Sequence, residues 1–404
     1  MPSKILLSEI FLPGFMKSFI RITCLLLLSV AIPFTLYAQT YLAPAKKGGK
    51  WGFIDQTGKF VIEPKYDNVL PFQEGLAAVN EGYRLVRGNA DQSVPGTWGF
   101  INVKGEIIVP LQYQNVENFQ EGLAKVNIGA SFRSYQGITL MGGKWGFIDK
   151  TGKYIIAPND TLFGGFSEGL CAFKIPKGSN WGYIDRNNKV VIKAGFYEAG
   201  QFKNGFAPVL KEDFTAIYID KTGNAVFGKS FKKAFPFREE RAFVRLTDGK
   251  AAFVNTKGEI IKAPEDVIND DNLKVFYYQG LVRVPVETQY GVRNGFADLS
   301  GKWKILPTFD LADNFHEGLA LVLADRYYRF IDEAGKTVIE IKDKYVENPQ
   351  TGSIFKAIPN PNIGIFNHGL CRIKDAGKWG FMDMKGNIVI APQFEDAKEF
   401  TSAE

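Results

Sequence analysis

Histidine occurs twice and cysteine three times in these 404 residues. Neither His316 nor His368 has a second His or Cys at metal-binding spacing, so the chain has no ordinary zinc site. Both lie in a repeated Phe-x-Glu-Gly turn and read as solvated turn residues. Three Cys over this length exclude a disulfide-stapled scaffold. No Gly-x-Ser-x-Gly elbow, phosphate loop or zinc signature is present. No stretch keeps an amphipathic helical period beyond a turn or two. Charge of one sign is also scarce. There are 49 Lys and Arg against 43 Asp and Glu, and Lys4, Lys17 and Arg21 lie in the first 38 residues. The remainder is nearly neutral and makes no case for a nucleic-acid binder, which shows a concentrated basic field.

The N-terminus carries the one long apolar run. Lys17 and Arg21 precede the apolar segment from Cys24 to Phe34, and Leu36-Tyr37-Ala38 precedes Gln39. This is the pattern of a secretory signal, residues 1–38, with Met16 as an alternative start. An uncleaved anchor is the rival reading, but the run falls short of the ~20 residues that span a bilayer comfortably. The mature chain is thus expected to be exported: periplasmic, at the cell surface or secreted. Cleavage leaves Cys171 and Cys371, five units apart in the repeat described next, each read as a small buried residue where other copies have Ala.

What is abundant is repetition. Trp51-Gly-Phe-Ile-Asp-Gln-Thr-Gly-Lys returns at Trp98, Trp145, Trp181 and Trp379, and in degenerate form with Ala216, Ala251, Asn294 and Tyr328 at the Trp position. A second phrase, Phe72-Gln-Glu-Gly-Leu-Ala, returns at Phe119, Phe166 and Phe315. The interval from the Trp position to the next Leu position is 25 in six of eight cases, from 51→76 to 294→319. Trp-Gly-Phe-Ile-Asp reads as a short strand and Asp-x-x-Gly as a hairpin turn. Phe-Val-Ile-Glu-Pro reads as the returning strand, which Pro ends because it has no N–H to pair. Gly-Leu-Ala-x-Val is a third strand. These phrases resemble the WG-repeat family, across essentially all of residues 42–400. The resemblance implies a bacterial repeat domain and supplies no catalytic residues.

The expected fold is therefore all-β: residues 39–404 as a tandem array of about nine three-stranded antiparallel units. Units begin near Leu42, Leu76, Leu123, Leu170, Phe206, Arg241, Leu281, Leu319 and Leu370. Such units stack because one alone cannot bury a core. Propeller blades usually number four to eight with four strands each, so the reading is an open, twisted β-solenoid, with a propeller-like closed ring as the alternative. After Phe400 the chain enters the next phrase and stops, which leaves a unit boundary and a truncated tenth unit both open. Trp51, Trp98, Trp145, Trp181 and Trp379 are assigned to the structural core between units, an aromatic sugar platform being the sharper alternative.

Function is written less plainly. Asp55, Asp149, Asp185, Asp220, Asp332 and Asp383 each precede a turn and are explained by it; calcium would need more oxygen ligands per site. Glu74, Glu121, Glu168 and Glu317 are turn residues, though carboxylates paired across units would serve glycoside hydrolysis. The hairpin from Leu to Trp spans 9 residues at 42→51, 319→328 and 370→379, but 22 at 76→98 and 123→145. The two extensions carry Tyr83, Arg84 and Arg87, and Phe132, Arg133 and Tyr135, a composition enriched at binding hot spots. The expectation is an exported, non-enzymatic scaffold that binds a protein or cell-envelope polymer and needs no cofactor or metal. A polysaccharide-acting enzyme and a structural surface component are the alternatives.

Overall fold

A computed structural model describes residues 40–82, 84–86, 92–94, 96–134, 138–176, 178, 180–268, 275–344 and 362–404. The expected signal segment lies outside these residues. Every regular element described is a strand, and no described helix is long and apolar enough to cross a membrane.

The three-stranded solenoid is overturned. The described strands form eight four-stranded antiparallel sheets and a ninth with one short strand more, arranged as the blades of a closed β-propeller. Blade 1 comprises 41–66 with 396–397; blades 2 to 9 are 68–113, 115–159, 162–196, 198–231, 233–262, 277–309, 311–344 and 363–394. In most blades the missing strand is only two residues long. Asn68–Val69, Asn115–Val116, Glu198–Ala199, Lys233–Ala234 and Leu311–Ala312 each open a blade and pair with the Gly-Leu-Ala strand that follows. Two residues cannot display the alternation that marks a strand.

Closure is made by the chain ends. Ala397 and Asp396 pair with Ala45 and Lys46, while Thr401 and Ser402 pair with Leu42 and Tyr41. Residues 396–397 thus give blade 1 its first strand, and blade 1 packs on blade 9 as other neighbours pack. Ala43, Ala45 and Ile54 share a core with Trp379, Phe381, Ile390 and Phe394.

The two repeated phrases meet at every blade interface. The Phe of Trp-Gly-Phe touches the Phe of the next blade's Phe-x-Glu-Gly turn: Phe53–Phe72 and Phe100–Phe119 at 4.8 Å, Phe147–Phe166 at 4.9 Å. Tyr183–Phe202, Tyr218–Phe237, Phe253–Tyr277, Phe296–Phe315, Phe330–Phe366 and Phe381–Phe400 complete the circuit. Each edge-on pair contributes ~0.5–1.5 kcal/mol beyond its buried area. The fixed interval of 25 is the path length that brings one phrase onto the other.

Glycine follows Trp for a steric reason. The fourth strand shifts register opposite this position, and its backbone crosses over it. A Cβ on Gly146 would lie 2.5 Å from the Ile156 carbonyl oxygen; on Gly52, 2.3 Å from that of Ile62. Fourth strands form the rim, where Val61, Ile107, Val190 and Ile388 are exposed. First strands face the axis, since their turns touch those of neighbouring blades. Alternating strand directions place the Glu-Gly and Asp-x-x-Gly turns on one face, the turn face. The hairpins between second and third strands lie on the other, the hairpin face.

Candidate functional site: inter-blade clefts on the hairpin face

The turn face is committed to structure. Glu74 and Gly75 both have positive φ, 52° and 87°, so successive N–H groups converge into an anion-binding nest. Glu121-Gly122 and Glu168-Gly169 repeat this geometry, and each nest is filled by the previous blade's carboxylate. Glu74 accepts from the N–H groups of Glu121 and Gly122 at 2.7 and 2.9 Å, and Glu121 accepts from those of Glu168 and Gly169. Glu239 holds Gln279 and Gly280, and Glu317 holds His368 and Gly369. A cation from the adjacent Asp-x-x-Gly turn joins three of these: Lys150 on Glu74, Arg186 on Glu121, Lys221 on Glu168. Burial pushes the Glu121 carboxyl up, but Arg186 and the two N–H groups outweigh it and hold it below the usual range. These carboxylates tie neighbouring blades together. The turn Asp residues serve their own loops: Asp149 accepts from the Thr151 hydroxyl and from Thr151 and Lys153 N–H groups, which keeps its pKa low.

Neither His is freely solvated. His368 is half-buried and stacks on Tyr41 at 4.1 Å. His316, half-buried, has its pKa lowered by desolvation and lies beside Tyr278, whose ring also receives Arg238 at 3.6 Å. Both cysteines are free and buried, and burial pushes the Cys171 thiol up to about 12. Among the described residues no group of three or more His, Cys, Asp or Glu side chains is placed to hold a metal.

The tryptophans sit between blades. Trp51 and Trp379 are buried; Trp98, Trp145 and Trp181 are half-buried. Three are roofed by a cation that also reaches the first strand of the next blade. The Lys125 ammonium is 4.7 Å from the Trp145 ring centre and donates to the Phe163 carbonyl at 2.9 Å. Arg372 covers Trp379 at 4.6 Å and donates to the Ala397 carbonyl at 2.8 Å. Lys398 covers Trp51 at 5.2 Å and donates to the Val69 carbonyl at 2.6 Å. Indole and cation together plug the gap between blades, a contact that strengthens as it is desolvated.

Two degenerate blades, 5 and 6, have Ala at the Trp position, and clefts open there. In blade 5 the Trp position is Ala216 and the position of Lys125 and Arg372 is Pro208. A cleft of about 780 Å³ results, walled by Pro208, Val209, Leu210, Ala216, Phe235 and Phe276, with Glu198, Lys232 and Lys233 at its edge. In blade 6 Ala251 stands at the Trp position, beside a cleft of about 790 Å³ bordered by Asp248, Lys250, Lys262, Glu265 and Asp266. The buried Arg245 lines it and donates to the Ile268 carbonyl at 2.8 Å. Both volumes fall in the range of small-molecule sites. The signal was present in the sequence as Ala216 and Ala251; read only as repeat decay, it did not announce a cavity.

The long hairpins stand on this same face. In blade 3 Leu123–Ser134 pairs with Ile138–Asp149, 12 residues each, whereas Ala320–Ala324 and Tyr327–Ile331 in blade 8 have 5. In blade 2 the extension forms a separate ribbon, Arg84–Val86 with Gln92–Val94. Arg84 pairs with Val94, Phe132 with Leu140 and Arg133 with Thr139. Tyr83, Arg87 and Tyr135 lie outside the described residues, as do the side chains of the other three.

The fold and its open clefts define a nine-bladed propeller with a built-up hairpin face. The chain belongs to the WG containing repeat family, which matches residues 51–84, 98–130, 145–175, 181–213, 218–250, 295–327 and 379–402, more than half of its length. No curated protein matches it significantly. Among solved structures, AztD from Citrobacter koseri is similar at 13% identity and a TM-score of 0.41, over 90% of this chain and 98% of that one. BamB from Moraxella catarrhalis gives 8% and 0.37, over 80% and 87%. The computationally designed Ika8 protein gives 10% and 0.40, over 78% and 93%. Similarities this distant carry no argument about function.

Proposed function

We propose that this propeller is an exported, non-enzymatic binding scaffold whose hairpin face holds a protein or a cell-envelope polymer. The observation that carries the reading is the asymmetry of that face. Extended ribbons rise from blades 2 and 3, and unplugged clefts open at blades 5 and 6, while the turn face is closed by its carboxylate nests. Concave sites beside projecting loops are where rigid scaffolds commonly place recognition. The absence of catalysis is supported by the same nests: the repeated Glu carboxylates are engaged as hydrogen-bond acceptors, not poised as a general acid and base. Export rests on the N-terminal signal pattern.

The test is capture from cell-envelope fractions by the mature chain, beside a variant with residues 82–96 and 129–143 shortened to the hairpin length of blades 8 and 9. Loop length costs little stability, so the variant should fold. Capture should fall at least tenfold. Undiminished capture by the folded variant would remove the ribbons from the binding surface, and no specific capture by the wild type would end the scaffold reading.

A further inference from the structure

We propose that the blade 5 cleft is a receptor for a flat aromatic ring, indole or phenol, supplied by a ligand where other blades supply it from the chain. The proposal deepens the scaffold reading above. In blades 1, 3 and 9 the equivalent space is occupied by an indole under a cation that bonds the next blade's first strand. Blade 5 has Ala216 at the indole position and Pro208 at that of Lys125 and Arg372. Its outer strand differs, with Ile217 in place of the Gly and Tyr218 paired with Val226, but the inner frame is retained. Lys233 and Ala234 still pair with Arg245 and Val244, and Tyr218 still meets Phe237 at 5.1 Å. The neighbouring blade has therefore not collapsed into the gap.

The walls suit the same chemistry. Val209, Leu210, Phe235 and Phe276 offer apolar and aromatic surface, and Lys232 and Lys233 also line the cleft. Phe214 adds a second feature at the opening. It is 63% exposed, sits at a φ of 60° that ordinary side chains avoid, and lies 5.1 Å from the exposed ring of Tyr197. An exposed aromatic pair held on a tight hairpin beside an apolar recess forms a lip against which a flat group can slide. The volume exceeds one indole, leaving space for the atoms that carry it, either the rest of a small molecule or a peptide backbone.

The experiment titrates the mature chain with free indole and, separately, with N-acetyl-tryptophanamide, following methyl NMR shifts of Val209 and Leu210. Saturable shifts with either probe are expected; indole alone would point to a free ring as the source, and preference for the amide to a peptide-borne one. Ala216→Trp refills the space from within and should weaken binding at least tenfold, while Ala251→Trp in blade 6 leaves it unchanged. Should Ala216→Trp fail to fold, Ala216→Met fills the same space in part and should weaken binding in the same sense. A rise in melting temperature for Ala216→Trp with no saturable binding to the wild type would mean a packing vacancy only and overturn the proposal. Equal binding to a folded Ala216→Trp would overturn it as well. Saturable, Trp-blocked probe binding by a chain that captures no envelope partner would uphold the receptor while ending the scaffold reading.

Discussion

Lys398 donates from its ammonium to the carbonyl of Val69 at 2.6 Å, joining residues 329 positions apart. It reaches there from the first strand of blade 1, built from the last residues of the chain. Glu395 beside it accepts from the N–H groups of Gly48 and Gly49 at 2.9 and 3.0 Å. These contacts distinguish a ring from a ribbon, because in an open array the two ends never meet.

Deleting residues 395–404 tests closure. The deletion removes Ala397, Phe400 and Ala403, all buried, and leaves Ala45 and Leu42 without their partners. An open array would lose only its frayed end. A closed ring loses two interfaces at once, so we expect a fall of more than ~3 kcal/mol and a melting transition shifted as a whole. Hydrogen exchange localises the loss: reduced protection in both blade 1 and blade 9 is expected, and loss confined to residues 363–394 would contradict closure.

How much of this was legible follows from chain distance. The Trp-Gly-Phe strand, the Asp-x-x-Gly hairpin and the Phe-x-Glu-Gly turn are local, and their residue types dictate them. Nine units were countable because nine phrases recur. The first strand of the blade was not legible, since Glu198–Ala199 or Lys233–Ala234 has no apolar pattern and is a strand only because the next one pairs with it. Closure was invisible for a related reason: nothing local to Ala397 marks Ala45 as its partner. The cleft lay between these cases. Ala216 was a plain departure, but its meaning required knowing that Trp145 and Lys125 fill one space together.

The Trp145 plug predicts a graded response. Trp145→Ala removes a half-buried indole and leaves Lys125 with its bond to the Phe163 carbonyl but no ring beneath it. We expect a loss of ~2–3 kcal/mol, below the full value for a buried aromatic, with protection falling first in blades 3 and 4. Gly146→Ala, one position on, should cost about as much by the opposite mechanism, because its Cβ meets backbone that cannot move aside. Urea melts compare the two. A neutral Gly146→Ala would show that the fourth strand does not lie over this position.

The filled nests make acid stability depend on carboxylates. The folded chain holds the Glu121 carboxyl below the ~4.3 ordinary for a free glutamate. Its contribution is therefore complete above about that pH and disappears as pH falls through the folded value. Glu121→Gln cannot carry the charge, so it should be less stable at pH 7 by about 1 kcal/mol, a figure reduced for the exposure of the site. Below pH 4 the gap should narrow, since the unfolded chain takes up a proton there while the folded carboxylate resists it. Urea denaturation at pH 7 and pH 3.5 measures both gaps; an equal difference at the two pH values would show that the charge on Glu121 does not matter.

The export reading has its own measurement. The apolar segment 24–34 and the small residue Ala38 place a signal-peptidase site before Gln39. Expression in a Gram-negative host, followed by fractionation and intact-mass analysis, should therefore find a periplasmic or extracellular species beginning at Gln39. Replacing Ala38 with Arg should block processing and leave a longer, membrane-associated form. A cytoplasmic product that keeps residues 16–38 would refute export, and the search for a partner would then move to the cytoplasm.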